Sequence, residues 1–235
     1  MSEDAVVTPH SGARRGRPPQ TREQADEVRS RIVAATAAVF TEYGSRGLSV
    51  ARIIDRAGIS RPTFYRYFAN ATAPLDVVLT LSNEGLVGGI RTALAGSAEP
   101  VALGIGIIDA YLDWARGHGP MLRPVFAELH DPTSPVSAYR EDAFDDIRTL
   151  VRTKFGLLGR ELPTTLDLDT ALQVCEFVVY RISLATAPGA EPEPEPDAVA
   201  RARLTMIRNV LVTLGRREDV ELALTIPGIF PAAHA

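Results

Sequence analysis

The sequence predicts an all-α protein, in which a three-helix N-terminal domain precedes a six-helix C-terminal domain. Apolar residues recur at three- and four-residue spacing along most of the 235-residue chain, which is the pattern of amphipathic helices. No segment shows the alternation of apolar and polar residues that is typical of a half-buried strand. Glycines and prolines divide the helical patterns into pieces of ordinary helix length.

The composition excludes several classes of protein. A hydrophobic content of 46% is ordinary for a packed globular domain, and there is no apolar run of the length (about 18 residues) that a membrane span needs. Residues 1–20 lack the apolar core of a secretory signal, so a cytoplasmic protein is expected. One cysteine excludes an intramolecular disulfide, and four scattered histidines give no metal-ligand spacing, so neither a metal nor a cofactor is expected.

Charge is distributed unevenly along the chain. Residues 1–70 carry 11 arginines against 7 acidic residues, whereas the remainder carries 14 basic against 22 acidic residues. A basic end on an acidic protein suggests a polyanionic partner at that end only. Random scatter of charge is the alternative explanation.

The N-terminal part begins with a polar segment, residues 1–20, that is expected to be a disordered basic arm. A domain over residues 21–72 follows, with helices predicted at 21–43, 49–56 and 60–68. Thr21 is a suitable cap for the first helix and Gly44 ends it.

The C-terminal part, residues 73–217, reads as a series of longer helices. The acidic, proline-rich stretch 188–196 interrupts them and favours an extended loop, either a plain spacer or a partner-binding segment. The tail, residues 218–235, holds two prolines and is expected to be irregular. The predicted helices cover residues 74–95, 101–117, 120–130, 137–158, 168–186 and 197–214.

The most informative stretch is LSVARIIDRAGISRPTFYRYF, residues 48–68. Two short helices are joined by a turn at Gly58, and inward-facing Ile53, Phe64 and Phe68 can fix the angle between them. This is the geometry of a helix-turn-helix, whose second helix lies in the major groove of DNA.

The outer face of that second helix carries no acidic residue. Arginine can donate to guanine edges and phosphates, tyrosine hydroxyls can donate to phosphates, and a threonine methyl can meet a thymine methyl. An aromatic and basic surface for contact with another protein is the alternative interpretation. The residues of this face are Arg61, Thr63, Tyr65, Arg66 and Tyr67.

The blocks at residues 32–40, 49–54 and 57–68 together resemble the DNA-binding domain of the TetR family of transcriptional regulators. The resemblance covers about the first third of the chain and implies a role for each matching position. Arg61, Pro62, Thr63 and Arg66 would meet bases or nearby backbone, and Tyr65 and Tyr67 would meet phosphates. Ser49 would cap the second helix and touch phosphate, and the free N–H groups at the start of the third helix, at Ser60, would face phosphate.

Two features differ from or add to the family pattern. Ala71 stands where the family usually has a phosphate-contacting lysine, so that contact is missing. The arm residues Arg14, Arg15 and Arg17 resemble a segment that reads the A·T minor groove, although a solvated basic tail fits equally well.

The resemblance further implies a homodimer that binds palindromic, double-stranded operator DNA. The last two helices would form the dimer interface, although their apolar faces could instead pack within their own chain. The residues predicted for this interface are Val178, Ile182, Ile207, Val210, Leu211 and Leu214.

The central helices are expected to hold a pocket for a small hydrophobic ligand. Packing of the core is the competing explanation for each residue, because buried aromatic side chains usually fill cores. The predicted pocket residues are Tyr111, Trp114, Met121, Phe126, Phe177 and Tyr180.

The sequence therefore predicts a transcriptional regulator, with a repressor that its ligand releases from DNA as the first hypothesis. An activator, or a nucleoid-type DNA-binding protein without a small-molecule signal, is the alternative. An enzyme is not expected, since no paired carboxylates beside a base and no glycine-rich phosphate loop occur.

Overall fold

The computed structural model describes residues 21–185 and 197–230, so the predicted basic arm and the acidic, proline-rich segment lie outside it. Within that part of the chain there are ten α-helices, one 3₁₀ turn and no strand, which confirms the predicted fold class. The helices are α1 Arg22–Tyr43, α2 Val50–Ala57, α3 Arg61–Tyr67, α4 Thr72–Ala95, α5 Pro100–His118, α6 Leu122–Glu128, α7 Pro135–Leu157, α8 Thr165–Ala185, α9 Ala198–Leu214 and α10 Arg217–Leu224, with the 3₁₀ turn Gly119–Met121 before α6.

Helix α1 has a defined start and a defined end. Its first turn is closed by a capping box, in which the Thr21 hydroxyl accepts from the Gln24 N–H and the Gln24 side chain accepts from the Thr21 N–H, both at 3.2 Å. The helix ends at Gly44, whose φ of 66° lies in the left-handed region, and whose N–H donates to the Phe40 carbonyl at 2.8 Å.

Helices α1, α2 and α3 enclose a small hydrophobic core. Hydrophobic burial is the main force that holds such a short helix-turn-helix together, because α2 and α3 are too short to be stable alone. The core residues are Ile32, Ala35, Val39, Ile53, Ala57, Phe64 and Phe68.

The larger core belongs to helices α4 to α10. Helix α4 runs from the N-terminal domain into the C-terminal domain and packs against α5 and α7, while α9 packs against both α5 and α8. No helix of the described residues is at once long enough and apolar enough to cross a membrane.

Helix α1 contributes to both cores. Ile32 and Val39 lie in the small core, whereas Phe40, which is fully buried, lies in the large core with Leu75 of α4. Residues 39 and 40 are neighbours in sequence and point to different faces of the helix. The two domains therefore share one helix and are not joined by a linker.

The prediction of an irregular tail was wrong, because residues 217–224 form α10. Asp219 caps this helix by accepting from the Arg216 N–H at 2.7 Å and is paired with Arg160. Ala223, on the inner face of α10, is completely buried. The tail prolines that suggested irregular structure lie beyond the helix, which ends at Leu224.

The helix predicted at 120–130 is divided in two. Gly119 has a φ of 49°, and the chain then makes a 3₁₀ turn before α6 begins at Leu122. Pro120 lies in this first turn, where its missing N–H has no cost, so the proline itself does not explain the change from 3₁₀ to α-helical geometry.

Candidate nucleic-acid interface

The turn between α2 and α3 depends on Gly58. Its φ of 61° and ψ of 41° place it in the left-handed region, and its N–H donates to the Ile54 and Asp55 carbonyls. A Cβ at this position would meet no atom within 4 Å, so glycine is required by the backbone conformation and not by crowding.

Helix α3 begins with a cap formed by Ser60. The Ser60 hydroxyl accepts from the Thr63 N–H at 3.3 Å and lies 2.8 Å from the Thr63 hydroxyl. The N–H of Thr63 is therefore already used, and the prediction that free N–H groups at Ser60 face phosphate concerns only the groups that this cap leaves free. Pro62 occupies the first turn, where its missing N–H has no cost.

The two sides of α3 have opposite characters. Phe64 is fully buried and packs against Phe68, with ring centroids 6.1 Å apart. On the outside, Tyr65 is half exposed and stands edge-on to the Phe64 ring, at 5.5 Å and 88°. Because Phe64 is locked in the core, this edge contact fixes the direction in which the Tyr65 hydroxyl points.

The structure brings the predicted α3 residues together on one surface. Arg61, Pro62 and Arg66 are exposed beside Tyr65, whereas Thr63 and Tyr67 are half-buried at the edges of this face. No acidic residue lies on α3. The helix thus presents two guanidinium groups and phenol hydroxyls on one convex surface, which can donate hydrogen bonds to base edges and phosphates.

Helix α2 is held against the end of α1. Ser49 caps α2 by accepting from the Arg52 N–H at 3.3 Å, as predicted. The Arg52 guanidinium lies over the Tyr43 ring at 4.4 Å, and Arg56 forms an ion pair with Glu42. Hydrogen bonds from Tyr43 and from Arg56 lower the pKa of Glu42, so this carboxylate stays charged and keeps Arg56 in place.

Helix α4 starts without the phosphate-contacting lysine that is usual in the family that this sequence resembles. Ala71 provides no side-chain cap, but the neighbouring Asn70 accepts from the Ala73 N–H at 2.9 Å. Asn70 was not predicted as a cap, although an asparagine three residues before a helical N–H is a recognisable one. On the other side of this junction, the Arg29 guanidinium lies 5.4 Å from the centre of the Phe68 ring.

The predicted interface residues divide into two groups. Ile207, Val210 and Leu211 are buried in the core of their own chain, where Val210 and Leu211 pack against Gly104 of α5, so their assignment to a dimer interface was wrong. The sequence pattern favours the more strongly apolar face of α9 as the interface, but α5 covers that face. Val178, Ile182 and Leu214 are half-buried.

A different set of apolar side chains on α8 and α9 faces solvent. Phe177 is 62% exposed, Val212 is 63% exposed and Leu166 is 74% exposed. Phe177 had been predicted as a pocket residue, and its exposure contradicts that assignment. These three side chains are apolar surface that their own chain does not cover.

Three predicted pocket residues, Tyr111, Trp114 and Phe126, line a narrow, partly open cavity of about 50 Å³. Trp114 donates its indole N–H to the Ser82 carbonyl at 3.0 Å, which fixes the ring in this wall. Met121 packs against the core without lining this cavity. The cavity has room for a few water molecules, which is less than a ligand of drug size needs.

A much larger space, of about 820 Å³, lies between the end of α1 and helices α5, α6 and α8. We call it the interdomain groove, since the N-terminal domain provides part of its wall. Tyr180 is the one predicted pocket residue that lines it. The groove residues are Thr41, Glu42, Gly44, Leu112, Ala115, Arg116, Gly119, Pro120, Leu122, Arg123, Pro124, Ala127, Val179, Tyr180, Ile182, Ser183, Leu184 and Val199.

A helix-turn-helix with an arginine- and tyrosine-bearing second helix, set on an all-α domain, defines a helix-turn-helix transcriptional regulator. Residues 32–72 match the family model described as bacterial regulatory proteins of the tetR family. The N-terminal part of the chain is therefore a DNA-binding domain of the TetR family.

Three individual proteins illustrate what the whole chain is similar to. The chain is 29% identical to the HTH-type transcriptional activator FasR of Mycolicibacterium smegmatis over 153 residues, which cover 65% of this chain and 67% of FasR. Its fold is similar to that of a TetR-family regulator from Syntrophomonas wolfei, with a TM-score of 0.64, 15% identity and coverage of 82% and 97% of the two chains. It is also similar to the fatty acid degradation regulator FadR from Bacillus halodurans, with a TM-score of 0.62, 18% identity and coverage of 81% and 96%.

Proposed function

We propose that this regulator binds palindromic operator DNA as a homodimer and that a small hydrophobic ligand changes its affinity for that DNA. The exposed face of α3 is the observation that carries the proposal. Arg61 and Arg66 are exposed on a helix whose other side is anchored by Phe64, so the helix that carries them is fixed against the N-terminal core. A helix with such donors on its exposed face is what sequence recognition in the major groove requires.

Contacts with the DNA backbone would flank the base contacts. Tyr65 and Tyr67 from α3, with Ser49 at the start of α2, would donate to phosphates and set the register of α3 in the groove. Since the sites of action are on chromosomal DNA, the proposed location is the cytoplasm. The arm residues Arg14, Arg15 and Arg17 lie outside the described residues, and their role in the minor groove stays a prediction.

The exposed apolar side chains of α8 and α9 support the proposed dimer. A two-fold pairing of these helices would cover Phe177 and Val212 and would bring half-buried Val178 and Ile182 into the same interface. Phe177→Glu should therefore dissociate the dimer in sedimentation velocity. Leu157→Glu, at a position that is 79% exposed at the end of α7, is the matched control and should stay dimeric.

The interdomain groove supports the proposed ligand. Its volume is within the range of small-molecule sites, and most of its wall is apolar, with Leu112, Leu122, Val179 and Ile182 among the residues that line it. A ligand bound there would touch both domains at once. It would then have different contacts in different relative positions of the domains, which is the condition for shifting a conformational equilibrium.

Repression is the proposed direction of control, with activation as the second candidate because FasR is named as an activator. The two are distinguished by the position of the operator and by a reporter gene. Deleting the regulator should raise expression from a promoter that overlaps the operator. A fall in expression on deletion would establish activation.

The central experiment is a selection of random duplex DNA on the purified protein, followed by affinity measurements on the enriched sequence. Arg61→Ala and Tyr65→Ala should each weaken binding by about tenfold or more, because a good base or phosphate contact contributes about 1–3 kcal/mol. Arg217→Ala, on the exposed surface of α10, is the matched control and should bind normally. Unchanged affinity in both α3 variants would overturn the assignment of α3 as the recognition helix.

A further inference from the structure

The turn between α1 and α2 is tied to the C-terminal end of α6 through one carboxylate. Glu128, the last residue of α6, accepts from the Ser45 N–H at 2.8 Å and from the Ser134 hydroxyl at 2.5 Å. Ser134 is the cap of α7, so Glu128 joins three elements at one point. We call this pair of hydrogen bonds the latch.

Gly44, directly after α1, leaves the space that the latch needs. A Cβ at Gly44 would lie 2.7 Å from the Glu128 carboxylate oxygen, closer than side-chain carbons approach such atoms. Gly44 also has its φ at 66°, which turns the next N–H, that of Ser45, toward the carboxylate. A second tie, between Arg46 and Asp131 at 2.8 Å, involves an exposed arginine and contributes little.

The latch stands at the rim of the interdomain groove. Gly44, one residue before Ser45, lines the groove from α1, and Ala127, one residue before Glu128, lines it from α6. The latch therefore joins the two walls of the groove that Gly44 and Ala127 form. The turn that carries Ser45 leads within four residues to Ser49, the cap of α2, so a shift there moves the whole helix-turn-helix.

We propose that Glu128 is a positioning residue that holds the helix-turn-helix in its DNA-binding orientation, and that an occupant of the interdomain groove releases it by opening the latch. This inference rests on the proposed function only for the identity of the occupant and of the DNA. The latch itself is a property of the single chain and is testable without either.

The first test measures the position of the N-terminal domain directly. Spin labels are placed at Asp55→Cys on α2 and Thr149→Cys on α7, both exposed positions, and labelled chains are diluted with unlabelled protein so that only distances within one chain are measured. The native Cys175 is buried and does not take up label. Glu128→Ala should broaden and shift the distance distribution, Glu128→Gln should restore it because its amide oxygen still accepts, and Glu84→Ala on α4 is the matched control.

In a further variant, a large side chain fills the groove in place of an unidentified ligand. Ala127→Trp, at an exposed groove position, should change the distance distribution in the same direction as Glu128→Ala. Distributions identical to that of the parent protein in both Glu128→Ala and Ala127→Trp would overturn the proposal, whatever the protein does with DNA.

The second test uses the DNA enriched by the selection described above. Glu128→Ala should bind it about tenfold more weakly, the effect of one charge-assisted hydrogen bond, and should be less sensitive to a base pair inserted between the half-sites. A variant that lost only folding stability would keep the same preference for spacing. If no DNA is bound by the parent protein, the proposed function fails while the distance measurement still decides the latch.

Discussion

The ion pair between Arg140 of α7 and Glu176 of α8 is buried in the wall of the small, partly open cavity, and its removal allows a quantitative prediction. The two side chains are only 8% and 10% exposed, and three hydrogen bonds of 2.9 to 3.1 Å join them. Glu176→Leu leaves the guanidinium buried over the Phe144 ring, with the exposed Glu141 as its remaining acidic partner. Breaking a buried pair in this way costs about 3–5 kcal/mol.

That loss is large compared with the about 5–15 kcal/mol that stabilises a typical protein. At about 2–4 °C per kcal/mol for a chain of this size, the unfolding temperature should fall by roughly 10 °C. The measurement is thermal unfolding followed by circular dichroism at one fixed protein concentration, because a dimer makes the transition concentration-dependent.

The double variant Arg140→Met, Glu176→Leu provides the control. Since it removes both charges together, no buried charge is left without a partner, and its stability should lie within about 1 kcal/mol of the parent protein. The reasoning is refuted if Glu176→Leu alone unfolds at the parent temperature. It is equally refuted if the double variant is as unstable as the single one.

Three further predictions concern other parts of the fold. Burial alone would raise the pKa of Asp219, but hydrogen bonds from Arg160 and from the Arg216 N–H lower this pKa overall. The ionised carboxylate therefore stabilises the fold above about pH 4, and this stabilisation is lost as the pH falls further. Asp219→Asn should therefore reduce stability by about 3 kcal/mol at pH 7 in denaturant titrations, and a gap that stays constant down to pH 3 would contradict this. Burial raises the pKa of Cys175 to about 12, so the native protein should not react with a thiol reagent until it is unfolded; rapid reaction at pH 8 would contradict this. Gly58→Ala should lower the free energy of unfolding by about 1–2 kcal/mol in chemical denaturation, because alanine is strained in the left-handed conformation of this residue. Gly58→Asn should lower it less, and equal losses in the two variants would point to crowding instead.

The fold was predictable where local patterns carried the information. The caps Thr21, Ser49 and Ser60 are all used as caps in the structure, and Gly58 has the left-handed conformation that a short turn between helices needs. Helix α10 was missed because its stability comes from a distant partner: Arg160 holds Asp219 from 59 residues away in the chain.

The site was predictable on α3 and less so elsewhere. The outer face of α3 follows from helical periodicity once Phe64 is known to be buried. Periodicity does not say which of two apolar faces of a helix meets its own chain, and for that reason Leu211 and Phe177 were each assigned to the wrong environment. Glu128 gave no signal at all, since a glutamate at the end of a helix is usually a solvated surface residue.

The division of helix α1 between two hydrophobic cores has a consequence for how the protein unfolds. Neither core is complete without α1, because Val39 belongs to one and Phe40, its neighbour, to the other. Melting of the helix-turn-helix would expose Phe40, and the loss of its burial would destabilise the larger domain by about 2–3 kcal/mol. Heat should therefore unfold the DNA-binding and C-terminal domains in one cooperative transition, and a mutation in either domain should lower the midpoint of both.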